Sequence, residues 1–84
     1  MEKDLKPDEL LPDENLDCTG LYCPVPIFET RKKIDTLKTG QILKVVADDP
    51  ASEEDISAWS KTTGNKLLRI EKDGEKFIFY IQKT

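Results

Sequence analysis

Apolar and polar residues alternate along the chain with two different periods, and these periods predict the order of its secondary-structure elements. Period-two or continuous apolar runs, typical of β-strands, cover 15–18, 41–47, 65–72 and 75–82. Apolar residues spaced three or four positions apart, typical of amphipathic helices, cover 24–37 and 50–63. Asp73-Gly74 separates the last two strands with a sequence typical of a two-residue hairpin turn. The pattern therefore predicts the order βαβαββ.

The second predicted strand decides how these elements pack. Its nearly continuous apolar sequence is typical of a central strand that is covered on most of its surface. Because a helix connects it to the first strand, we expect the two strands to lie parallel through a right-handed crossover. The predicted fold is a two-layer α/β (α+β) sandwich, in which two helices cover one face of a four-stranded mixed sheet.

Core-facing positions follow from the same periods. On the second helix Ile56, Trp59 and Thr63 share one face, so Trp59 is interpreted as a core residue. On the last strand the residues expected to face the helices are Phe77, Phe79 and Ile81. The alternate positions, Ile78 and Tyr80, would then leave an apolar open face available to a partner.

Proline and glycine mark where the predicted helices begin and end. Asp49 is expected to cap the second helix, with Pro50 in the first helical position and Gly64 after the last. Gly40 is expected to end the first helix in the same way. Asp48 and Asp49 could instead form a pair of catalytic carboxylates, although capping alone accounts for Asp49.

The start of the first helix also carries candidate chemistry. Cys23 precedes a proline, which favours the extended backbone of an N-cap residue, and Pro24 suits the first helical position. Pro26 still lies in the first turn, where no intrahelical bond is lost. Since neither proline has an N–H, Val25 is the expected donor to the Cys23 sulfur. A helix N-terminus lowers the pKa of a thiol, so Cys23 is a candidate nucleophile; the alternative is a small buried apolar residue.

Two segments of the chain resemble one known family. The segment L-D-C-T-G-L-Y-C-P-V-P at 16–26 resembles the signature of the TusA-like (SirA-like) sulfur carriers, and A-D-D-P-A at 47–51, followed by Asp55-Ile56, resembles their second motif. The resemblance covers 15–84 and implies the same two-layer fold. It implies that Cys23 carries a persulfide sulfur between proteins. Leu21 and Tyr22, which precede it, are then either candidates for contact with those partners or residues of ordinary loop packing. Cys18 and Thr19 depart from the family pattern, which leaves open a second thiol or a different partner.

Composition narrows the classes of function. Residues 1–14 hold six acidic residues and two lysines and are interpreted as a flexible acidic N-terminal tail, while 15–84, with eleven residues of each sign, form a single domain. A balanced domain is not expected to bind nucleic acid directly. With two cysteines and no histidine, neither a four-ligand zinc site nor a Cys-His pair is expected, and no cofactor is implied. The absence of a long apolar run or a leader predicts a cytoplasmic protein, and we expect a monomer.

Three functions remain open. The first is a sulfur carrier that accepts a persulfide sulfur on Cys23 from a donor such as a cysteine desulfurase and relays it to an acceptor protein, in tRNA thiolation or another pathway. Whether such a carrier counts as an enzyme depends on the definition. The second is a thiol-disulfide redox protein that uses Cys18 and Cys23. The third is a non-catalytic regulatory module that only binds partners. Arg31, on a basic helix face about two turns from the thiol, lies either on a solvated surface or in a docking patch.

Overall fold

The computed structural model describes residues 11–22 and 25–84. In this part of the chain the elements occur in the predicted order, as β1 (Glu14–Cys18), α1 (Val25–Asp35), β2 (Ile42–Ala47), α2 (Ser52–Thr63), β3 (Lys66–Asp73) and β4 (Lys76–Gln82). The sheet order is β1-β2-β4-β3, with β1 parallel to β2 and the other neighbouring pairs antiparallel. The predicted mixed sheet, its central second strand and the parallel first pair are therefore confirmed.

The hydrophobic core lies between one face of the sheet and both helices. Alternate residues of a strand share a face, and the buried strand residues follow this rule: Cys18, Leu43, Val45, Ala47, Phe79 and Ile81. The same cluster contains Ile34 of α1, Leu37 just after α1, and Ile56 of α2. Both helices therefore cover the same face, which confirms the predicted two-layer sandwich. Trp59 and Phe77 pack against this core and are partly buried.

The other face of the sheet differs from the prediction. The positions of β2 on this face, including Lys44, are only partly buried, so the strand is fully buried on one side only. Tyr80, which was expected to be exposed, has an exposed fraction of 6%. Its cross-strand neighbours in the register are Lys44 and Arg69, two residues whose long side chains can cover apolar surface. The expectation of an exposed apolar face is therefore wrong at Tyr80.

The N-terminal edge of the domain begins earlier than predicted. Residues 1–10, most of the predicted acidic tail, lie outside the described residues. Asp13 and Glu14, which were assigned to that tail, are tied to β2: the Asp13 N–H donates to the Ile42 carbonyl at 2.8 Å, and the Ile42 N–H donates to the Asp13 carboxylate at 2.8 Å. Glu14 pairs with Leu43 as the first residue of β1. The sheet thus includes the last residue assigned to the tail.

The first helix ends sooner than predicted. After Asp35 the N–H groups of Thr36 and Leu37 donate to carbonyls three residues earlier, at 3.0 Å each, which tightens the last turn. Gly40, with φ of +94°, therefore lies in the turn 38–41 and not at the end of the helix. Its N–H donates to the Lys83 carbonyl at 2.8 Å.

The second helix begins later than predicted and ends as predicted. It starts at Ser52 with Ala51 as N-cap, and the Asp49 carboxylate accepts the Ala51 N–H at 3.1 Å, so Asp49 acts just before the helix proper. Gly64, with φ of +83°, confirms the predicted end, because its N–H donates to the Ser60 carbonyl. Thr63 is exposed rather than in the core, since the buried face of α2 runs through Ser52, Ile56 and Ser60.

The hairpin between the last strands is shifted by one residue. Asp73 pairs with Lys76, so the two turn residues are Gly74 and Glu75. Gly74 has φ of +64°, which fits the first central position of a type II′ turn. A register shift between Leu67 and Arg69 also interrupts β3, a local feature that strand periodicity does not predict.

Candidate functional site

The loop from β1 to α1 contains the candidate cysteine motif, and its first half is held by short-range hydrogen bonds. The Asp17 carboxylate accepts the Thr19 hydroxyl at 2.7 Å and the Thr19 N–H at 2.9 Å. These two bonds, the hydroxyl foremost, hold the pKa of Asp17 below its ordinary value. The Leu21 N–H donates to the Cys18 carbonyl at 3.2 Å, and Gly20 between them has φ of +82°. Only glycine adopts that conformation readily.

A longer-range bond joins this loop to the second sequence motif. The Gly20 N–H donates to Oδ1 of Asp48 at 3.0 Å, across 28 positions of sequence. The two residues meet because β1 and β2 are parallel and Cys18 pairs with Ala47, so that the chain leaves both strands at the same edge of the sheet. The two motifs that carry the family resemblance therefore lie side by side.

The candidate nucleophile Cys23 and its neighbour Pro24 lie outside the described residues. On their two sides, the Val25 N–H donates to the Tyr22 carbonyl at 2.8 Å. The predicted bond from this N–H to the Cys23 sulfur lies outside the described residues. Pro26 is buried in the first turn of α1. That turn contains no acidic residue, so no carboxylate on it offsets the positive end of the helix dipole.

Exposed apolar side chains stand on both sides of the cysteine in the sequence. The exposed fractions of Tyr22, Val25 and Phe28 are 71%, 38% and 56%, and these three residues are called the rim patch below. Leu21, the other predicted contact residue, is partly buried and packs against the core. Phe28 was not among the predicted site residues. The sequence feature that could have identified it is its place on α1, next to Ile27 and off the buried face formed by Pro26, Thr30 and Ile34.

Arg31 is exposed one turn beyond Phe28. Both residues line a shallow groove between the two helices, together with Ile27, Ile34, Asp35, Trp59, Thr62, Thr63, Asn65, Lys83 and Thr84. Phe28 of the rim patch and Arg31 therefore lie in the same groove beside α1. The next basic residues on this helix are engaged in ion pairs, Lys32 with Glu29 at 3.5 Å and Lys33 with Glu14 at 3.3 Å.

Cys18, the candidate second thiol, is fully buried in the core. Burial raises the pKa of this thiol from 9.0 to about 11, and the negative charges of Glu29 and Asp17 add to the effect. At neutral pH Cys18 is therefore a protonated thiol without access to a partner protein. The thiolate is the nucleophile in sulfur exchange. Cys18 is therefore placed to pack in the core and not to exchange sulfur.

Neither a metal-binding cluster nor a membrane-spanning helix is present in the part of the chain that the structure describes. Within residues 11–22 and 25–84, cysteine and carboxylate side chains do not gather in a group of three or more that would hold a metal ion. None of the helices in the same ranges is long and apolar enough to span a membrane.

The described residues define a small two-layer α/β domain in which the loop between β1 and α1 leaves the sheet beside the start of the segment after β2. Residues 14–83 match the protein family described as Sulfurtransferase TusA. The chain therefore belongs to the TusA family.

Individual relatives agree with this assignment. The chain is 43% identical over 72 residues to the sulfur carrier protein TusA of Allochromatium vinosum, which covers 86% of this chain and 95% of that protein. It is 45% identical over 71 residues to a putative sulfur carrier protein of Bacillus subtilis, covering 84% of this chain and 95% of that protein. The crystal structure of a SirA-like protein from Desulfitobacterium hafniense has the same fold, with a TM-score of 0.71, 21% identity, and coverage of 82% and 95%. Family membership supports a sulfur-carrier role for this chain.

Proposed function

We propose that this protein is a sulfur carrier whose Cys23 accepts the terminal sulfur of a donor persulfide and passes it to an acceptor protein. In the first step the Cys23 thiolate attacks the outer sulfur of the donor's persulfide. A new sulfur–sulfur bond forms on Cys23, the donor's sulfur–sulfur bond breaks, and the donor cysteine leaves as a thiolate. The second step repeats this exchange with an acceptor thiolate, so the relay needs no external oxidant or reductant.

The observation that carries this proposal is the position of the other thiol. The chain contains two cysteines, and Cys18 is buried with a raised pKa. Sulfur exchange between proteins requires a thiolate that a second protein reaches. Cys23, in the motif that resembles the family signature, is therefore the residue that we assign to the reaction, and Pro24, Val25 and Pro26 are the residues proposed to support it at the helix start.

Partner proteins are expected to approach along α1. The rim patch offers apolar surface beside the cysteine in sequence, and Arg31 adds a positive charge one turn beyond Phe28. Aromatic and arginine side chains are enriched where protein interfaces concentrate their binding energy. We assign Tyr22 and Arg31 to partner binding, with Phe28 added and Leu21 contributing mainly to the packing that supports the loop.

The proposed setting is a relay in the cytoplasm, in which a monomeric carrier meets a cysteine desulfurase or another sulfur donor. The acceptor belongs to tRNA thiolation or to another sulfur-requiring pathway. Any RNA in that pathway is expected to be held by the acceptor rather than by this chain, because charges of the two signs balance over residues 15–84. No cofactor takes part in the proposed exchange.

Intact-protein mass spectrometry tests this proposal. The protein is incubated with a cysteine desulfurase and cysteine, as wild type, Cys23→Ser and Cys18→Ser. We expect a gain of one or more sulfur atoms, removable by a thiol reductant, in wild type and Cys18→Ser and not in Cys23→Ser. A loss of two hydrogens that requires both cysteines would favour the redox function instead. An unchanged mass with several donors would favour a module that only binds partners.

A further inference from the structure

The hydrogen bonds of the β1–α1 loop fall into two groups. Those of Thr19 and Leu21 run to Asp17 and Cys18, two or three residues away. The Gly20 N–H instead donates to the Asp48 carboxylate, which lies beyond β2. Among the bonds described for residues 19–22, this one fixes the loop to another part of the domain. The remaining ones only shape the loop locally.

The two adjacent acidic residues after β2 have different tasks. The Asp48 carboxylate accepts the N–H of Gly20 in the β1–α1 loop, while the Asp49 carboxylate accepts the N–H of Ala51 at the start of α2. The backbone that leads into Asp48 is held in place, because Ala47 before it is buried and pairs with Cys18 in the parallel β1–β2 pair.

We propose that Asp48 is a positioning residue for sulfur transfer: its carboxylate holds the Gly20 N–H and thereby fixes the loop that leads to Cys23. Asp48 does not itself react. The proposal deepens the proposed function and rests on it, because a fixed loop matters for the rate at which a partner's sulfur meets the thiol. The role depends on the acceptor oxygen of the side chain rather than on its charge.

Two variants of Asp48 separate the effect of its acceptor oxygen from the effect of its charge. Asp48→Asn keeps an acceptor oxygen of the same reach and removes the charge, whereas Asp48→Ala removes the acceptor. Glu75→Ala is the matched control, since Glu75 is an exposed carboxylate that lines the same shallow groove as Asp48 but lies in the β3–β4 turn. Each variant is examined for amide hydrogen exchange at Gly20 and at Val45, for the alkylation rate of Cys23, and for sulfur loading from a cysteine desulfurase with cysteine.

We expect Asp48→Ala to speed hydrogen exchange at Gly20 by about tenfold or more, with Val45 in the core unchanged. Alkylation and sulfur loading of Cys23 should slow together, by about threefold to tenfold. Asp48→Asn and Glu75→Ala should stay within about twofold of wild type in every readout.

Three results would overturn the proposal. One is an unchanged exchange rate at Gly20 in Asp48→Ala, which would show that the bond does not hold the loop. Another is equal loss in Asp48→Asn and Asp48→Ala, which would assign the effect to charge. The third is a parallel rise in exchange at Gly20 and Val45, which would indicate a general loss of stability. If wild type takes up no sulfur, the proposed function fails, while hydrogen exchange and alkylation still decide the role of Asp48.

Discussion

The buried thiol of Cys18 should make the stability of the domain fall at alkaline pH. The pKa of Cys18 is raised from 9.0 to about 11 because burial disfavours the thiolate. Below pH 9.0 both the folded and the unfolded protein carry the neutral thiol, and the full stability is present. As the pH rises further, only the unfolded state loses the proton, so stability is lost progressively until the folded thiol also ionises near pH 11.

The size of this loss follows from the difference between the two pKa values. A difference of one pH unit corresponds to about 1.4 kcal/mol, so the loss approaches about 3 kcal/mol at the upper end of the range. A domain of this size has a free energy of unfolding of roughly 4–12 kcal/mol. The titration of one buried thiol should therefore remove a large part of it.

Urea unfolding, followed by the fluorescence of the single tryptophan, Trp59, measures the effect in the presence of a reductant. Wild type is compared with Cys18→Ala from about pH 8 to about pH 11. The variant should lose about 1 kcal/mol at the lower pH because its side chain is smaller. Its stability should then fall less steeply than that of wild type.

Cys23→Ser is the control for the other thiol, and it should follow the wild-type pH dependence. The pKa of Tyr80 is also raised, mainly by burial, but Tyr80 is present in all three proteins and its contribution cancels in the comparison. Parallel loss of stability in wild type and Cys18→Ala over the whole range would refute the assignment of Cys18 as a buried, inert thiol.

Two further substitutions test the packing and the partner surface. Thr30→Val should raise the free energy of unfolding by about 1 kcal/mol, because the Thr30 hydroxyl is fully buried and has no hydrogen-bond partner among the described residues; a lower free energy of unfolding in chemical denaturation would show that the hydroxyl is satisfied in solution. Phe28→Ala should raise the KM for a sulfur-donor protein several-fold and change stability by less than about 0.5 kcal/mol, whereas Leu68→Ala, an exposed apolar residue on β3, should leave the KM unchanged. Equal kinetics for these two variants would exclude the rim patch from partner binding.

The order of elements and most of the core were predictable because they depend on local periodicity. Leu16 and Cys18 alternate with Asp17 along β1, and the same alternation that defines the strand also buries Cys18. The ends of elements were less predictable. Gly40 carries the signal of a helix end, yet the helix stops at Asp35 and the glycine serves a turn held by Lys83 from the other end of the chain. Sequence spacing contains no information about that partner.

In the candidate site, too, local features were predictable from the sequence and long-range contacts were not. The start of α1 at Val25, directly after the cysteine motif in the sequence, was predictable within a residue from the order of residue types, since prolines restrict the backbone locally. The contact between Gly20 and Asp48 was not visible, because it requires the parallel pairing of two strands and the direction of one side chain. Tyr80 was mispredicted for a related reason, because its exposure depends on which residues of the neighbouring strands lie beside it, here Lys44 and Arg69 in the register.

The carboxylates at this edge of the sheet bear on the proposed chemistry of the site. Asp17, Asp48 and Asp49 each accept a backbone N–H, from Thr19, Gly20 and Ala51 respectively. They therefore shape the two loops rather than stand ready as general bases, and the chain has no histidine to take that role. Hydrolysis needs a group that moves protons, whereas exchange between a thiolate and a persulfide needs only an ionised sulfur with access to its partner. Carboxylates that are occupied by backbone N–H groups therefore agree better with the proposed transfer of sulfur than with cleavage of bonds by water.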